Sequence, residues 1–217
     1  MTTIAILDYG IGNRRSVSSA LSVLGATPRL AVSGHDLDGS DGLIIPGVGA
    51  FPQCMAALET AKFPALIGDY VKSGRPVLGI CVGMQMLFEY GTEFALTRGL
   101  GILPGQVDRL SIDPTAGRLP HIAWTSVSAV ARDGSMFAGV PMSAQFYFVH
   151  SFAPVGVSEA DVSATAFYCG RSFVAAVQRA NLWGTQFHPE KSGPNGLRLL
   201  ANFVGRCRSG MQLTKGD

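Results

Sequence analysis

The segment Pro76-Val77-Leu78-Gly79-Ile80-Cys81-Val82-Gly83-Met84-Gln85-Met86-Leu87-Phe88-Glu89-Tyr90 constrains this chain more than any other. A short apolar run that opens at Pro76 reads as a buried strand. Met84, Leu87 and Phe88 then recur at i, i+3 and i+4, so a helix with one apolar face is expected as far as Tyr90. Between strand and helix, Gly79-Ile80-Cys81-Val82-Gly83 has the G-x-S-x-G pattern of a nucleophile elbow, with cysteine in place of serine. Such a turn forces strained backbone angles and close neighbours, and the two glycines remove side chains that would clash. The thiol is then expected at the carboxyl edge of a sheet, beside a helix N-terminus. There the dipole and free N–H groups favour thiolate, and a free pKa near ~8.5 can fall to roughly 3.5–7.5. The Val82 N–H becomes a candidate oxyanion donor. Taken alone, the pattern also fits a small buried core cysteine, the state of most free cysteines.

The elbow needs an α/β sheet around it, and the rest of the chain supplies one. At 217 residues the chain is long enough for one sizeable domain and short for two. A composition 47% hydrophobic and 15% charged argues for a large core and against disorder. Thr3–Leu7, Thr27–Val32 and Leu43–Ile45 read as buried strands. Between them runs a helix with Val17, Leu21 and Leu24 on one face, stopped by Gly25. Gly10-Ile11-Gly12 lacks the third glycine of a dinucleotide fingerprint, and no G-K-[ST] follows. Two further helices carry Phe51, Met55 and Leu58, then Leu66, Ile67, Tyr70 and Val71, with Cys54 beside the first stripe. This alternation predicts an α/β fold: an open mixed, mostly parallel sheet with helices on both faces. The turn Pro46-Gly47-Val48-Gly49-Ala50 follows a strand and shares the carboxyl edge with Cys81 if the strands are parallel. The N–H groups of Val48 or Gly49 are therefore candidates for the second oxyanion donor, although an ordinary strand-to-helix turn would look the same.

After Gly91 the helical period disappears. Segments 100–107, 120–124, 145–151, 164–168 and 173–177 read as strands, expected as an antiparallel extension of the same sheet. No linker or repeat divides the chain, so residues 1–217 are expected as a single domain, with the last ten or so residues, as an order of magnitude, a loose tail. A final helix with Leu197, Leu200, Val204 and Cys207 on one stripe is expected to start at a Ser192 cap.

The four cysteines, at 54, 81, 169 and 207, have no metal-type or disulfide spacing, so no metal is expected and no cofactor motif appears. A net charge of +2 does not suggest a nucleic-acid partner. No run approaches a membrane span, and Met1-Thr2-Thr3-Ile4 has no signal pattern, so a cytoplasmic setting is expected.

A cysteine nucleophile requires a base. His35 lies in a polar turn, and His121 and His150 lie in apolar strands as candidate hydrogen-bonded core residues. His188 differs. In Gln186-Phe187-His188-Pro189-Glu190-Lys191-Ser192, Pro189 keeps the backbone extended, so His188 and Glu190 lie on one side. A carboxylate there can orient the ring and stabilise the imidazolium, which favours a Cys81-His188-Glu190 triad.

The P-G-x-G loop, the G-[IV]-C-x-G elbow followed by a helical Gln, and the terminal H-P-E together resemble the class I, triad-type glutamine amidotransferases. Asp8-Tyr9-Gly10-Ile11-Gly12-Asn13, Gly83-Met84-Gln85 and Tyr147-Phe148-Val149-His150-Ser151 narrow the resemblance to the glutaminase subunits of imidazole glycerol phosphate synthases, from Ile4 to about Phe203. The resemblance implies a flavodoxin-like sheet. It implies that Cys81 attacks glutamine, that His188 moves the proton and that Glu190 orients it. It implies that Val82 with the Val48–Gly49 loop holds the oxyanion, and that Gln85 and Glu93 recognise the amino-acid end of glutamine. It implies an ammonia-accepting cyclase partner, HisF, a (β/α)8 barrel, in a heterodimer, with Asn13, Trp124, Tyr147 and Lys191 near the docking face. Ala123 and Thr125 stand where the family usually has Gly and Asn, Phe152 where Tyr is common, and Val82 where Leu is frequent. The alternatives are an amidotransferase of another pathway, which a different partner in a pull-down would reveal, and a non-catalytic scaffold, which unreactive Cys81 would reveal.

Overall fold

The computed structural model describes residues 1–130 and 134–213, with side chains to residue 209. In chain order it contains β1 (Thr3–Leu7), α1 (Arg14–Val23), β2 (Thr27–Ala31), β3 (Gly42–Gly47), α2 (Phe51–Thr60), α3 (Phe63–Lys72), β4 (Val77–Cys81) and α4 (Val82–Gln85). There follow β5 (Tyr90–Gly91), β6 (Thr97–Arg98), β7 (Gln106–Arg109), β8 (His121–Ala129), β9 (Gln145–His150), β10 (Phe152–Val155), β11 (Val162–Tyr168), β12 (Arg171–Arg179), β13 (Leu182–Thr185) and α5 (Gly193–Leu213). The first seven elements follow the expected alternation.

The main sheet has nine strands in the order β2-β1-β3-β4-β13-β12-β11-β8-β9. The strands from β2 to β13 in that order are parallel, and the remainder are antiparallel. From β1 the chain crosses outward to β2, and from β3 it crosses the opposite way to β4. Right-handed crossovers in opposite directions put their helices on opposite faces. Accordingly α1 packs with α5, and α2 with α3. Coverage on both sides explains why β3, β4 and β13 are buried at every residue, with no alternation in sequence. Gly47 is registered against Cys81, and Thr185 against Ile80, so the ends of β3, β4 and β13 form one carboxyl edge.

Three expectations change. The helix after Cys81 ends at Gln85, not Tyr90. Met84, Met86, Leu87 and Phe88 are all fully buried, so the apolar spacing there reflects burial on every side rather than one helix face. The strands after Gly91 do not all extend the main sheet. β10, β7, β5 and β6 form a second, four-stranded sheet of two- to four-residue strands. Runs this short carry no periodicity that says which sheet they join. Ser192 does not use its hydroxyl to cap α5. It accepts from the Tyr147 N–H (3.0 Å) and donates to the His188 carbonyl (2.6 Å), tying the His188 segment to β9. The final residues are helical as far as Leu213, and 214–217 lie outside the described residues.

Candidate active site

Cys81 is the last residue of β4 and has φ 56°, in the left-handed region that non-glycine residues rarely enter. The turn closes only because of its glycines. A Cβ on Gly83 would overlap the Ile45 carbonyl oxygen, and one on Gly79 would lie 2.7 Å from the Gly83 oxygen. The thiol is 4% exposed and lies 4.0 Å from the Val149 carbonyl and 3.7 Å from Gln186 Nε2. Because α4 is a single turn, little macrodipole acts on the sulfur, and the sequence argument from a long helix is weakened.

The structure brings His188 and Glu190 to this thiol. Gln186 to His188 continue from β13 at the same edge, and His188 Nδ1 meets Glu190 Oε1 at 2.9 Å with both side chains buried. A carboxylate accepts, so Nδ1 carries the proton and Nε2 is left toward the site. Nε2 has no hydrogen-bond partner of ordinary length among the described residues. Burial pushes the imidazolium toward neutrality, but Cys81 and Glu190 beside it outweigh that and raise its pKa to about 10.

Asn13, expected near a docking face, also donates from Nδ2 to Glu190 Oε1 at 3.0 Å, so it orients the carboxylate that holds His188. Sequence reading had no signal for this contact across 177 positions. Trp124, Tyr147 and Lys191 do gather at one surface. Trp124 is 51% exposed, its ring centroid lies 6.1 Å from that of Tyr147, and Lys191 Nζ lies 6.0 Å from the Tyr147 ring. Ile122, 58% exposed, lies on β8 with Trp124, and sequence gives no sign of its exposure, because an exposed apolar residue in a strand looks like core.

The Pro46–Gly49 turn, the candidate oxyanion loop, is held by two side chains. Tyr9 donates its hydroxyl to the Pro46 carbonyl at 2.6 Å, and Cys54 donates its thiol to the Val48 carbonyl at 3.3 Å. Burial raises the pKa of both groups, so they remain protonated donors, with Cys54 at about 11. A planar trans peptide then aims the Gly49 N–H away from Cys54.

A cavity of about 290 Å³ opens over the thiol, lined by Val48, Gly49, Val82, Gln85, Glu93 and His188 together with His150 and Phe152. The candidate oxyanion and glutamine-recognition residues therefore share one pocket with Cys81. Glu93 accepts the Phe51 N–H at 2.8 Å, which fixes its carboxylate at the start of α2. Gln85 Nε2 donates to the Phe152 carbonyl (2.9 Å) and to Gln186 Oε1 (3.0 Å). Gln186, fully buried beside the sulfur, was read from sequence only as the end of a strand. Among the described residues no group of side chains could hold a metal ion.

The chain is similar to known proteins over most of its length. The family model for class-I glutamine amidotransferases matches residues 5–207. The curated "Imidazole glycerol phosphate synthase subunit HisH" of Thermobifida fusca (strain YX) is 44% identical over 212 residues, covering 93% of this chain and 97% of that protein. The protein of the same name from Desulfitobacterium hafniense (strain DSM 10664 / DCB-2) is 46% identical over 200 residues, covering 92% of each. Among solved structures, a glutamine amidotransferase superimposes with a TM-score of 0.71 at 20% identity, covering 94% of this chain and 98% of that one. PurLQS from Thermotoga maritima gives a TM-score of 0.73 at 18% identity, with the same coverage. At such identities the structures speak to the fold alone.

Proposed function

The chain belongs to the class-I glutamine amidotransferase family and, within it, to the HisH subunits of imidazole glycerol phosphate synthase, and from that premise we propose how its residues divide the work. It is a glutaminase subunit of histidine biosynthesis and works in a complex with a partner subunit. Cys81 thiolate attacks the side-chain amide carbon of L-glutamine, and the carbonyl oxygen takes the electron pair as an oxyanion. The Val82 N–H and an N–H of the Val48–Gly49 loop receive that charge. His188 gives the proton it took from the thiol to the leaving ammonia, while Glu190 holds the ring. Water then hydrolyses the thioester, releasing L-glutamate and restoring the thiol. Gln85 and Glu93 bind the amino-acid end of glutamine.

The observation that carries this reading is the Nδ1–Glu190 contact, which orients the ring and leaves Nε2 for the sulfur. The partner that consumes the ammonia is the cyclase HisF, a (β/α)8 barrel, docking over Trp124, Tyr147 and Lys191 as a heterodimer. It makes imidazole glycerol phosphate and an aminoimidazole carboxamide ribotide. The chain from residue 1 to the end of α5 acts as one amidotransferase domain. None of the described helices is long and apolar enough to cross a membrane, consistent with work in the cytoplasm. The test is steady-state glutamate release by the chain alone, with the cyclase, and with the cyclase plus its ribonucleotide ligand. Release that depends on Cys81 and is stimulated by the cyclase is the expected result. Release unchanged in Cys81→Ala would refute the chemistry.

A further inference from the structure

We propose that Gln186 is a further catalytic residue donating to the Cys81 thiolate, held there by a hydrogen-bonded network whose two arms, one from Thr125 on β8 and one from Gln85, meet at the Phe152 carbonyl. The inference rests on Cys81 being the nucleophile. The contacts of the network are continuous. Thr125 Oγ1 lies 2.8 Å from His121 Nε2, His121 Nδ1 lies 3.1 Å from His150 Nε2, and His150 Nδ1 lies 2.9 Å from the Phe152 carbonyl. The same carbonyl accepts from Gln85 Nε2, Gln85 also donates to Gln186 Oε1, and Gln186 Nε2 lies 3.7 Å from Cys81 Sγ.

The direction follows from which atoms can donate. A carbonyl only accepts, so His150 Nδ1 carries a proton. Both rings are neutral, because burial pushes His121 to about 4 and His150 to about 3. His150 Nε2 is therefore bare and accepts from His121 Nδ1–H. His121 Nε2 is bare in turn and accepts a hydrogen bond from the Thr125 hydroxyl. Both histidines thus hold their proton on Nδ1, the less favoured tautomer of a free imidazole side chain. At the inner end, Gln85 spends both amide hydrogens on the Phe152 carbonyl and on Gln186 Oε1. Gln186 cannot flip without setting its NH₂ group against that of Gln85, so its N–H is fixed toward the sulfur.

Gln186 touches the reacting atom. Thr125, His121 and His150 act through other residues and are positioning residues. His121, Ala123 and Thr125 share one face of β8, and the small Ala123 leaves room for the ring to lie along the strand. Trp124, on the opposite face of the same strand, is half exposed, so anything that shifts β8 from outside moves the first donor of the Thr125 arm.

The first arm of the test is NMR of the full chain with ¹⁵N-labelled histidine at pH 7, with His121 and His150 assigned by their Gln variants. Both rings are expected to be protonated on Nδ1 and bare on Nε2. A proton on Nε2 of either ring would overturn the Thr125 arm. The second arm is alkylation of Cys81 by iodoacetamide, followed against pH by mass spectrometry. A hydrogen bond to a charged acceptor is worth roughly ten-fold or more in an equilibrium, so Gln186→Leu is expected to slow labelling near neutrality by about that factor. It should also displace the profile to higher pH, and Gln186→Glu further, by like-charge repulsion. A wild-type profile in both folded Gln186 variants would remove Gln186 from the chemistry. If intact chain with cyclase released no glutamate, the nucleophile reading would fail instead, and the tautomers would still decide the Thr125 arm.

Discussion

At Cys81 a strained backbone meets the His188–Glu190 pair, and each of the three residues can be tested singly. Cys81→Ala or Cys81→Ser supplies no thiolate at neutral pH, so glutamine-dependent turnover should vanish while fold and partner binding persist. Ammonium salts should still support product formation by the complex. A glutamate-release assay beside an ammonia-dependent assay separates the two effects. His188→Ala removes the base and should cost ~10²–10⁴-fold in kcat. Glu190→Gln should cost less, because Asn13 and the amide can still place the ring. Equal, negligible losses for both substitutions would dissolve the triad. Gly83→Ala would force a methyl group onto the Ile45 carbonyl. It should lower the urea-unfolding free energy by more than about 2 kcal/mol.

At the level of elements, the Pro46–Gly49 turn is the part of the site whose backbone orientation a partner is expected to bias. Its Pro46 and Val48 carbonyls are held by Tyr9 and Cys54. Gly49 sits at φ +90°, with open space where a Cβ would be. Gly49→Ala should therefore impair catalysis through backbone strain rather than through a clash. Glycines on both sides of Val48 make rotation of its peptide cheap. One orientation offers an N–H to the oxyanion and the other a carbonyl, and losing a donor costs ~10²–10³ in rate. The isolated subunit is expected to be nearly idle and to gain rate when the cyclase biases this turn, a population shift that requires only differential affinity of that size. A maximal rate for the subunit alone, unchanged by cyclase and ribonucleotide, would sink the gating while leaving the triad untouched.

Across the whole molecule, the half of the sheet that carries no crossover helices brings two histidines into the core beside the site. Unfolded, they titrate near 6.5; folded, burial holds them near 4 and 3. As pH falls from about 6.5 toward 4, the unfolded chain binds protons that the native chain does not, so stability should fall across that window and be complete above it. Urea midpoints at pH 7 and pH 5 measure the drop, which should shrink in His121→Gln. His188 has the opposite sign. Its pKa is raised to about 10, so its share of stability is full below 6.5 and fades as pH rises through about 10. On the outer surface, Trp124→Ala should weaken cyclase binding by about ten-fold or more, as loss of a central aromatic anchor does. Analytical titration of the complex reads it.

The elbow, the P-G-x-G turn and the His188-Pro189-Glu190 run were legible in sequence because each is local. Strand, turn and helix signals lie within a few residues of the chemistry they serve, and glycine and proline limit the backbone there whatever surrounds it. The buried strands β1, β3 and β4 were legible for the same reason, since cover on both faces leaves an unbroken apolar run. Only the tertiary structure decided that α4 ends at Gln85, that the short strands after Gly91 form a sheet of their own, and that Ser192 serves β9 rather than α5. It alone placed Asn13 on Glu190 and Gln186 on Cys81, contacts spanning 177 and 105 positions. Hydrogen bonds between buried side chains depend on register and approach, and these are settled when strands far apart in the chain dock. A residue's type limits what it can donate or accept, but only the packed sheet decides to whom.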